Sequence, residues 1–209
     1  MALELKHGLT LHFARHGETI ANVERRFQGR NDTPLTERGR DQARIVADIL
    51  TRSLGGQPTQ RFVTSPLPRA RTTMEMILNL LHLPPVYNTD ARLMEIDLGS
   101  WSGLTDAEAR ALDPAMWDLR VHDKWNVRVP GGGENYAMVA ERITAWAKEL
   151  DRDTVAISHG ATLRILRGLF LGLSWKEMSD LDEPQDCVFR YRDGTLTRLE
   201  YGEPAPKPV

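Results

Sequence analysis

Residues 11–22 read LHFARHGETIAN. An apolar run stops at Ala14, and Arg15, His16 and Gly17 follow without a gap. Residues 9–14, LTLHFA, are short, partly alternating and rich in strand formers, which predicts a strand. A strand that ends in Arg-His-Gly aims a cation and a titratable ring past its carboxyl end. In open α/β sheets that is where ligands bind.

The same dipeptide, His159-Gly160, closes a second strand candidate, TVAISHG (154–160). A third candidate, RFVTS (61–65), ends in Ser65-Pro66 and is followed by Arg69 and Arg71. Between these runs the periodicity turns helical. DTPLTERGRDQARIVADILTRSL reads as a turn and a helix, with Thr36 as N-cap, an apolar stripe at Ile45, Val46, Ile49 and Leu50, and a stop at Gly55-Gly56. PLPRARTTMEMILNLLHL carries Met74, Ile77, Leu78 and Leu81 at helical spacing and is expected to end at Pro84-Pro85. VYNTDARLMEIDLGSWSG reads as an extended segment and loop, and residues 105–128 as helical pieces. GGGENYAMVAERITAWAKEL is a glycine loop leading into a helix, and ATLRILRGLFLGL is a further helix. CVFRYRDGTLTRLEY predicts a hairpin turning at Asp193-Gly194.

Strands alternating with helices predict an α/β protein, a three-layer α/β/α sandwich around a mostly parallel sheet. One domain over 1–201 is expected, with a Pro-rich, disordered tail at 202–209.

The 27 basic and 29 acidic residues leave a net charge of −2, which points away from nucleic acid and anionic membranes. Cys187 is alone, so no internal disulfide or Cys/His zinc spacing exists. The amino terminus lacks a secretory core, and no apolar run approaches the roughly 18 residues of a membrane span. A cytoplasmic, soluble protein is expected.

Positive groups converging on one rim of the sheet suit a phosphate, because guanidinium forks match its oxygens bidentately. A helix or turn starting beyond each strand adds free N–H groups that favour an anion. A neutral imidazole between the cations can act as a nucleophile at phosphorus. In this reading the strand aims the ring and the glycine leaves room for the phosphoryl group.

The pattern RHGET-x2-N-x6-G-x2-DTPLTERGRDQA resembles the signature of the histidine phosphatase superfamily, also called phosphoglycerate mutase-like. The likeness continues through TSPLPRARTT (64–73), LMEIDLGSWSG (93–103), GGGEN (131–135) and AISHGATLR (156–164), in family order. It implies a phosphoglycerate mutase-like fold and a role for each matching residue. His16 would be the nucleophile that becomes phosphohistidine. Arg15, Arg69 and His159 would clamp the phosphoryl oxygens, and Glu95 would be acid to the leaving alcohol and base to water. Asn22, Gln28 and Gly160 would bind substrate. No cofactor and no metal are implied, since the arginines supply the neutralising charge.

Two outcomes share such a site: a phosphatase passes the phosphoryl group to water, a mutase to a second hydroxyl. EIDLGSW and the short chain resemble the phosphatase branch. A phosphomonoesterase acting on a small phosphorylated metabolite is therefore expected, with a cofactor-dependent mutase or a non-catalytic phosphate-binding module as alternatives, and with a homodimer left open. Residues 101–128 would form a lid supplying Trp101, Trp117, Arg120, His122, Lys124, Trp125 and Arg128, either to contact substrate or simply to pack. Glu18 and Glu37 read as surface or capping carboxylates, Arg71 as solvent-facing, His12 as structural and His82 as a helix-end cation.

Overall fold

The computed structural model describes residues 2–55 and 59–202; Gly56 and residues 203–209 of the tail expected at 202–209 lie outside the described residues. A sheet of six strands runs in the order β3-β2-β4-β1-β5-β6. Its parallel part is β3 (Asn88–Thr89), β2 (Arg61–Thr64), β4 (Thr154–Ser158) and β1 (Thr10–Arg15). β5 (Val188–Arg192) and β6 (Thr195–Leu199) add an antiparallel edge. The fold is α/β, as expected, with a mostly parallel sheet.

β1 is buried on both faces, and its alternation sorts side chains between two cores. Leu11 and Phe13, both 0% exposed, pack with α6 (Tyr136–Glu149) and α7 (Gly160–Phe170). Ala14 packs on the opposite side with α2 (Glu37–Leu54) and α3 (Pro68–Leu80). Burying a side chain of Phe13's size stabilises the fold by about 1.5–3 kcal/mol. The expected helical stripes form the second core: Val46, Ile49, Leu50, Met74, Ile77 and Leu78 are buried, while Ile45 and Leu81 pack at its edge.

Local chemistry sets the boundaries. Thr36 caps α2 by accepting the Gly39 N–H. α3 ends before the prolines expected to stop it, because His82 adopts a left-handed conformation (φ 56°) just past the cap Leu81. The 105–128 pieces are α4 (Asp106–Leu112) and α5 (Pro114–His122), each with its own cap, Thr105 and Asp113. The hairpin turns at Asp193 (φ 45°) and Gly194 (φ 79°), two successive left-handed residues as a type I′ turn requires. β3 lies in the expected extended segment, whereas α1 (Ile20–Val23) and α8 (Trp175–Asp180), which Ser174 and Glu177 close with a capping box, have no counterpart in the sequence reading.

Candidate active site

Parallel pairing brings three strand ends to one edge. Arg15 lies opposite Ser158, and Thr64 opposite Ile157. Just beyond, His16 N–H donates to Ser158 O and Ser65 N–H to Ile157 O, both at 3.0 Å. His16 and His159, 143 residues apart in sequence, therefore meet with ring centroids 5.1 Å apart. Arg15, His16, Arg69, Glu95, Asn22 and Gln28 all line one cavity of about 480 Å³.

His16 is 2% exposed. Its Nδ1 lies 2.7 Å from Gly17 O, so Nδ1 carries the hydrogen and donates it. Nε2 keeps its lone pair, and Arg69 Nε donates to it at 3.2 Å. Burial, then the Arg15 and Arg69 guanidiniums, hold the ring well below the ordinary histidine pKa, so it stays neutral.

Arg69 is the best-anchored cation. Its Nη1 donates to Asn31 O at 2.6 Å and to Asp32 Oδ1 at 2.9 Å, and Nη2 to Gly29 O at 2.8 Å. Of its five guanidinium hydrogens four have protein partners, the Nε hydrogen on His16 included, and one on Nη2 has none among the described residues. The 29–32 loop thus aims Arg69 rather than freeing it. Arg15 donates to Glu183 O at 2.7 Å and pairs with the Glu183 carboxylate at 3.5 Å, and its buried Nε has no partner.

His159 is fully buried, and its Nε2 lies 2.7 Å from Ser65 Oγ. Ser65 Oγ accepts the Leu67 N–H at 3.3 Å and can also donate its own hydrogen to Nε2. With that donation Nδ1 carries the ring hydrogen; Nδ1 is buried and has no hydrogen-bond partner among the described residues. Burial first, then Arg69, His16, Arg15 and Arg142, depress the His159 pKa as well.

Glu95 sits at the start of α7. Its Oε2 accepts the Ala161 N–H and its Oε1 the Thr162 N–H, both at 3.2 Å. The anion at this helix start is a protein carboxylate, where the sequence suggested phosphate. The loop holding it is braced by Glu134, whose Oε2 accepts the Asp97 N–H at 2.9 Å while Arg142 pairs with the same carboxylate at 3.0 Å.

Other expectations shift. A Cβ on Gly17 would collide with Gly39 O, so this glycine permits β1's end to cross α2 and is not there to admit a phosphoryl group. Gly160 likewise makes room for the Glu183 carboxylate beside Arg15. Asn22 Oδ1 caps Thr19 and accepts from Gln185, leaving its amide NH₂ without a protein partner among the described residues. Gln28 bonds Thr19 and Thr33. Of the lid residues, Trp101, Trp117, Arg120 and Lys124 line the cavity, with Phe27 stacked among the tryptophans. His122 bonds Asp118 O in solvent, Trp125 packs on the core and Arg128 ties down the glycine loop. His12 bonds Ser53, and Arg71 is exposed beside Tyr87 and Glu75. Asp32, Ser65, Glu183 and Gln185 were given no role by the sequence. Among the described residues no cluster of three His, Cys, Asp or Glu could hold a metal ion.

The family model of the histidine phosphatase superfamily (branch 1) matches residues 11–203. This chain belongs to that superfamily. It is 34% identical, over 76% of its length and 72% of the relative's, to a glucosyl-3-phosphoglycerate phosphatase of Mycolicibacterium vanbaalenii. It is 31% identical to "Probable phosphoglycerate mutase GpmB" of Salmonella paratyphi C, over 93% of this chain and 86% of the other. Among solved structures, the mycobacterial glucosyl-3-phosphoglycerate phosphatase superposes with a TM-score of 0.70 at 32% identity, covering 87% of this chain and 89% of that one.

Proposed function

We propose that this protein is a phosphomonoesterase that hydrolyses a small phosphorylated metabolite through a phosphohistidine on His16 Nε2. One observation carries the reading: a neutral imidazole, locked as its Nδ1–H tautomer by Gly17 O, presents its Nε2 lone pair among guanidiniums on a cavity wall. In the first half, Nε2 attacks phosphorus and the ester oxygen leaves, taking a proton from the Glu95 carboxyl. In the second, the Glu95 carboxylate takes a proton from water, whose oxygen displaces Nε2 and releases inorganic phosphate. Arg15, Arg69 and His159 Nδ1–H stabilise the equatorial oxygens. That is the electrostatic contribution phosphoryl transfer needs most. Asn22, through its free amide, completes the substrate-facing wall.

The neutralising charge comes from arginines, so activity is expected to survive excess EDTA. The reading includes a cytoplasmic location. The buried Cys187 thiol, pushed up to about 12 by burial, is suited to a reduced, unreactive state, and no described helix is long and apolar enough to cross a membrane.

The test is the intermediate. During turnover of a ³²P-labelled ester, acid-labile phosphate should appear on the wild type and map to His16, and His16→Ala should show neither label nor turnover. Label on His159 or on a serine would overturn the assignment. Phosphate released to water supports the phosphatase, whereas quantitative transfer to a second substrate hydroxyl would mark a mutase.

A further inference from the structure

Residues 181–187 join α8 to β5 and carry no motif that the sequence reading singled out. Asp182 fastens the segment to its surroundings. Arg167 Nη1 donates to its Oδ1 at 2.8 Å, Arg198 Nη1 to its Oδ2 at 2.7 Å, and Arg167 Nη2 to its carbonyl. Gln185 reaches inward, where its Nε2 donates to His16 O at 3.1 Å and to Asn22 Oδ1 at 3.2 Å. Between them Glu183 meets Arg15 twice: Arg15 Nη1 donates to its carbonyl at 2.7 Å and lies 3.5 Å from its Oε2. Glu183 Oε1 pairs with Arg164 Nη2 at 3.1 Å, so one carboxylate stands between two guanidiniums.

The grip on Arg15 is one-sided. Nη1 is held, whereas the buried Nε has no partner and no hydrogen bond leaves Nη2 among the described residues. Nε–H and the neighbouring Nη2–H form the side-on edge of the fork, which matches two oxygens of a phosphoryl group. Holding the opposite corner leaves that edge for the cavity, which Arg15 lines with His16. A carboxylate on the wall of such a cavity repels an incoming anion, so its place there needs a compensating task. Glu183 offsets the mutual repulsion of Arg15 and Arg164 and fixes Arg15 before the anion arrives. Charge preorganised in this way costs no reorganisation during the reaction. Gly160 makes the arrangement possible, because a Cβ there would collide with Glu183 Oε2 and crowd Arg15 Cζ.

Resting on the reading of this cavity as a phosphomonoesterase site, we infer that Glu183 is the positioning residue for Arg15. Its carbonyl and carboxylate hold Nη1 so that the Nε–Nη2 edge faces the phosphoryl group. Asp182 and Gln185 keep the segment that carries it against the site.

Glu183→Gln keeps the length of the side chain and the main-chain carbonyl and removes the charge. On p-nitrophenyl phosphate it should lower kcat by about 10- to 100-fold, the scale of a misplaced catalytic group, with a smaller change in KM. In calorimetric titrations it should lose more affinity for orthovanadate, a mimic of five-coordinate phosphorus, than for inorganic phosphate. Glu183→Asp, which keeps the charge on a shorter arm, should lose less on both readouts. Arg15→Lys supplies the deciding background, since an ammonium has no side-on edge to orient. The kcat losses of Glu183→Gln and Arg15→Lys should therefore fall well short of additive in the double variant. Full additivity would overturn the assignment and leave the phosphatase standing, because Glu183 would then act other than through Arg15. Tighter binding of phosphate and vanadate by Glu183→Gln would overturn it too, and would mark the carboxylate as a competitor for Arg15. Weaker vanadate binding by Glu183→Gln, in a protein whose wild type forms no acid-labile phosphate, would keep the role of Glu183 at Arg15 and sink the phosphatase reading.

Discussion

Arg69 Nε donates to His16 Nε2 across 3.2 Å, which places the only unprotonated nitrogen of the ring against the most firmly anchored guanidinium. The contact occupies the lone pair, and on the proposed mechanism the same N–H swings to a phosphoryl oxygen when that lone pair attacks phosphorus. Asp32 and the carbonyls of Gly29 and Asn31 keep Arg69 in place through the exchange.

Arg69→Lys should therefore fail to rescue what Arg69→Ala loses. An ammonium cannot span the 29–32 carbonyls and His16 Nε2 at once. Both variants should lower kcat by about 10²–10³-fold, the scale of losing one preorganised donor, for alkyl and aryl phosphates alike. A lysine variant within tenfold of wild type would show that charge alone suffices.

The imidazole of His16 should stay neutral where an ordinary histidine, with a pKa of about 6.5, is largely charged. Its pKa is lowered by burial, Arg15 and Arg69, so acid protonates Nε2 only well below that value. Nitrogen NMR of His16 at pH 5.5 should report the Nδ1–H tautomer. An imidazolium signal at that pH would contradict the tautomer that Gly17 O imposes.

The meeting of His16 and His159 was legible because each lies at a short local pattern, an apolar run that ends in His-Gly. Parallel pairing then needs no further information to bring His16 and His159 together. Glu95 was legible only through likeness to a family, since its loop has no periodicity. Asp32, Ser65 and Glu183 were not legible at all. Asp32 reaches Arg69 across 37 residues and Glu183 reaches Arg15 across 168, so their roles exist only after chain closure. Gly17 was misread for a similar reason: the backbone it must clear belongs to Gly39 on another element.

Ser65 is a positioning residue for His159. If Ser65 Oγ–H donates to Nε2, removing it lets His159 adopt the other tautomer, which leaves Nδ1 a lone pair facing phosphate. Ser65→Ala should cut kcat by about 10-fold or more, the order of one neutral hydrogen bond, with a smaller effect on KM. Ser65→Thr keeps the hydroxyl and should recover most of the rate. Equal defects in both variants would indicate that the site needs the volume of serine and not its hydrogen.

Acid should loosen the fold before it silences the site. His12 is buried against Ser53, and burial followed by Arg190 lowers its pKa to about 4. Below pH 6.5 the unfolded chain takes up a proton that the folded chain refuses until about pH 4. Stability is thus complete above 6.5 and falls with pH through that window, by about 3 kcal/mol for this group. His16 and His159 act in the same direction. Urea titrations from pH 7 to 4.5 should show the loss, and His12→Gln, which cannot protonate, should reduce its slope by about one proton. An unchanged slope would mean that His12 is charged in the folded state.

Glu95 separates from the clamp by its dependence on the leaving group. Its carboxylate is held by the α7 N–H groups of Ala161 and Thr162 and lines the cavity with His16. It makes no hydrogen bond to the His16 imidazole, so its removal leaves that ring's own contacts intact. An alkoxide leaves poorly without a proton, whereas p-nitrophenolate hardly needs one. Glu95→Gln should slow alkyl phosphate hydrolysis by about 10²–10⁴-fold, the range of general acid catalysis. With p-nitrophenyl phosphate the formation of phosphohistidine should be nearly normal. The variant should then show a burst and a slow steady state, because no base remains to activate water. Rapid-quench measurement on the two substrates decides it. Equal losses on both, without a burst, would mean that Glu95 only orders the start of α7, and the proton would have to come from another group on the cavity wall.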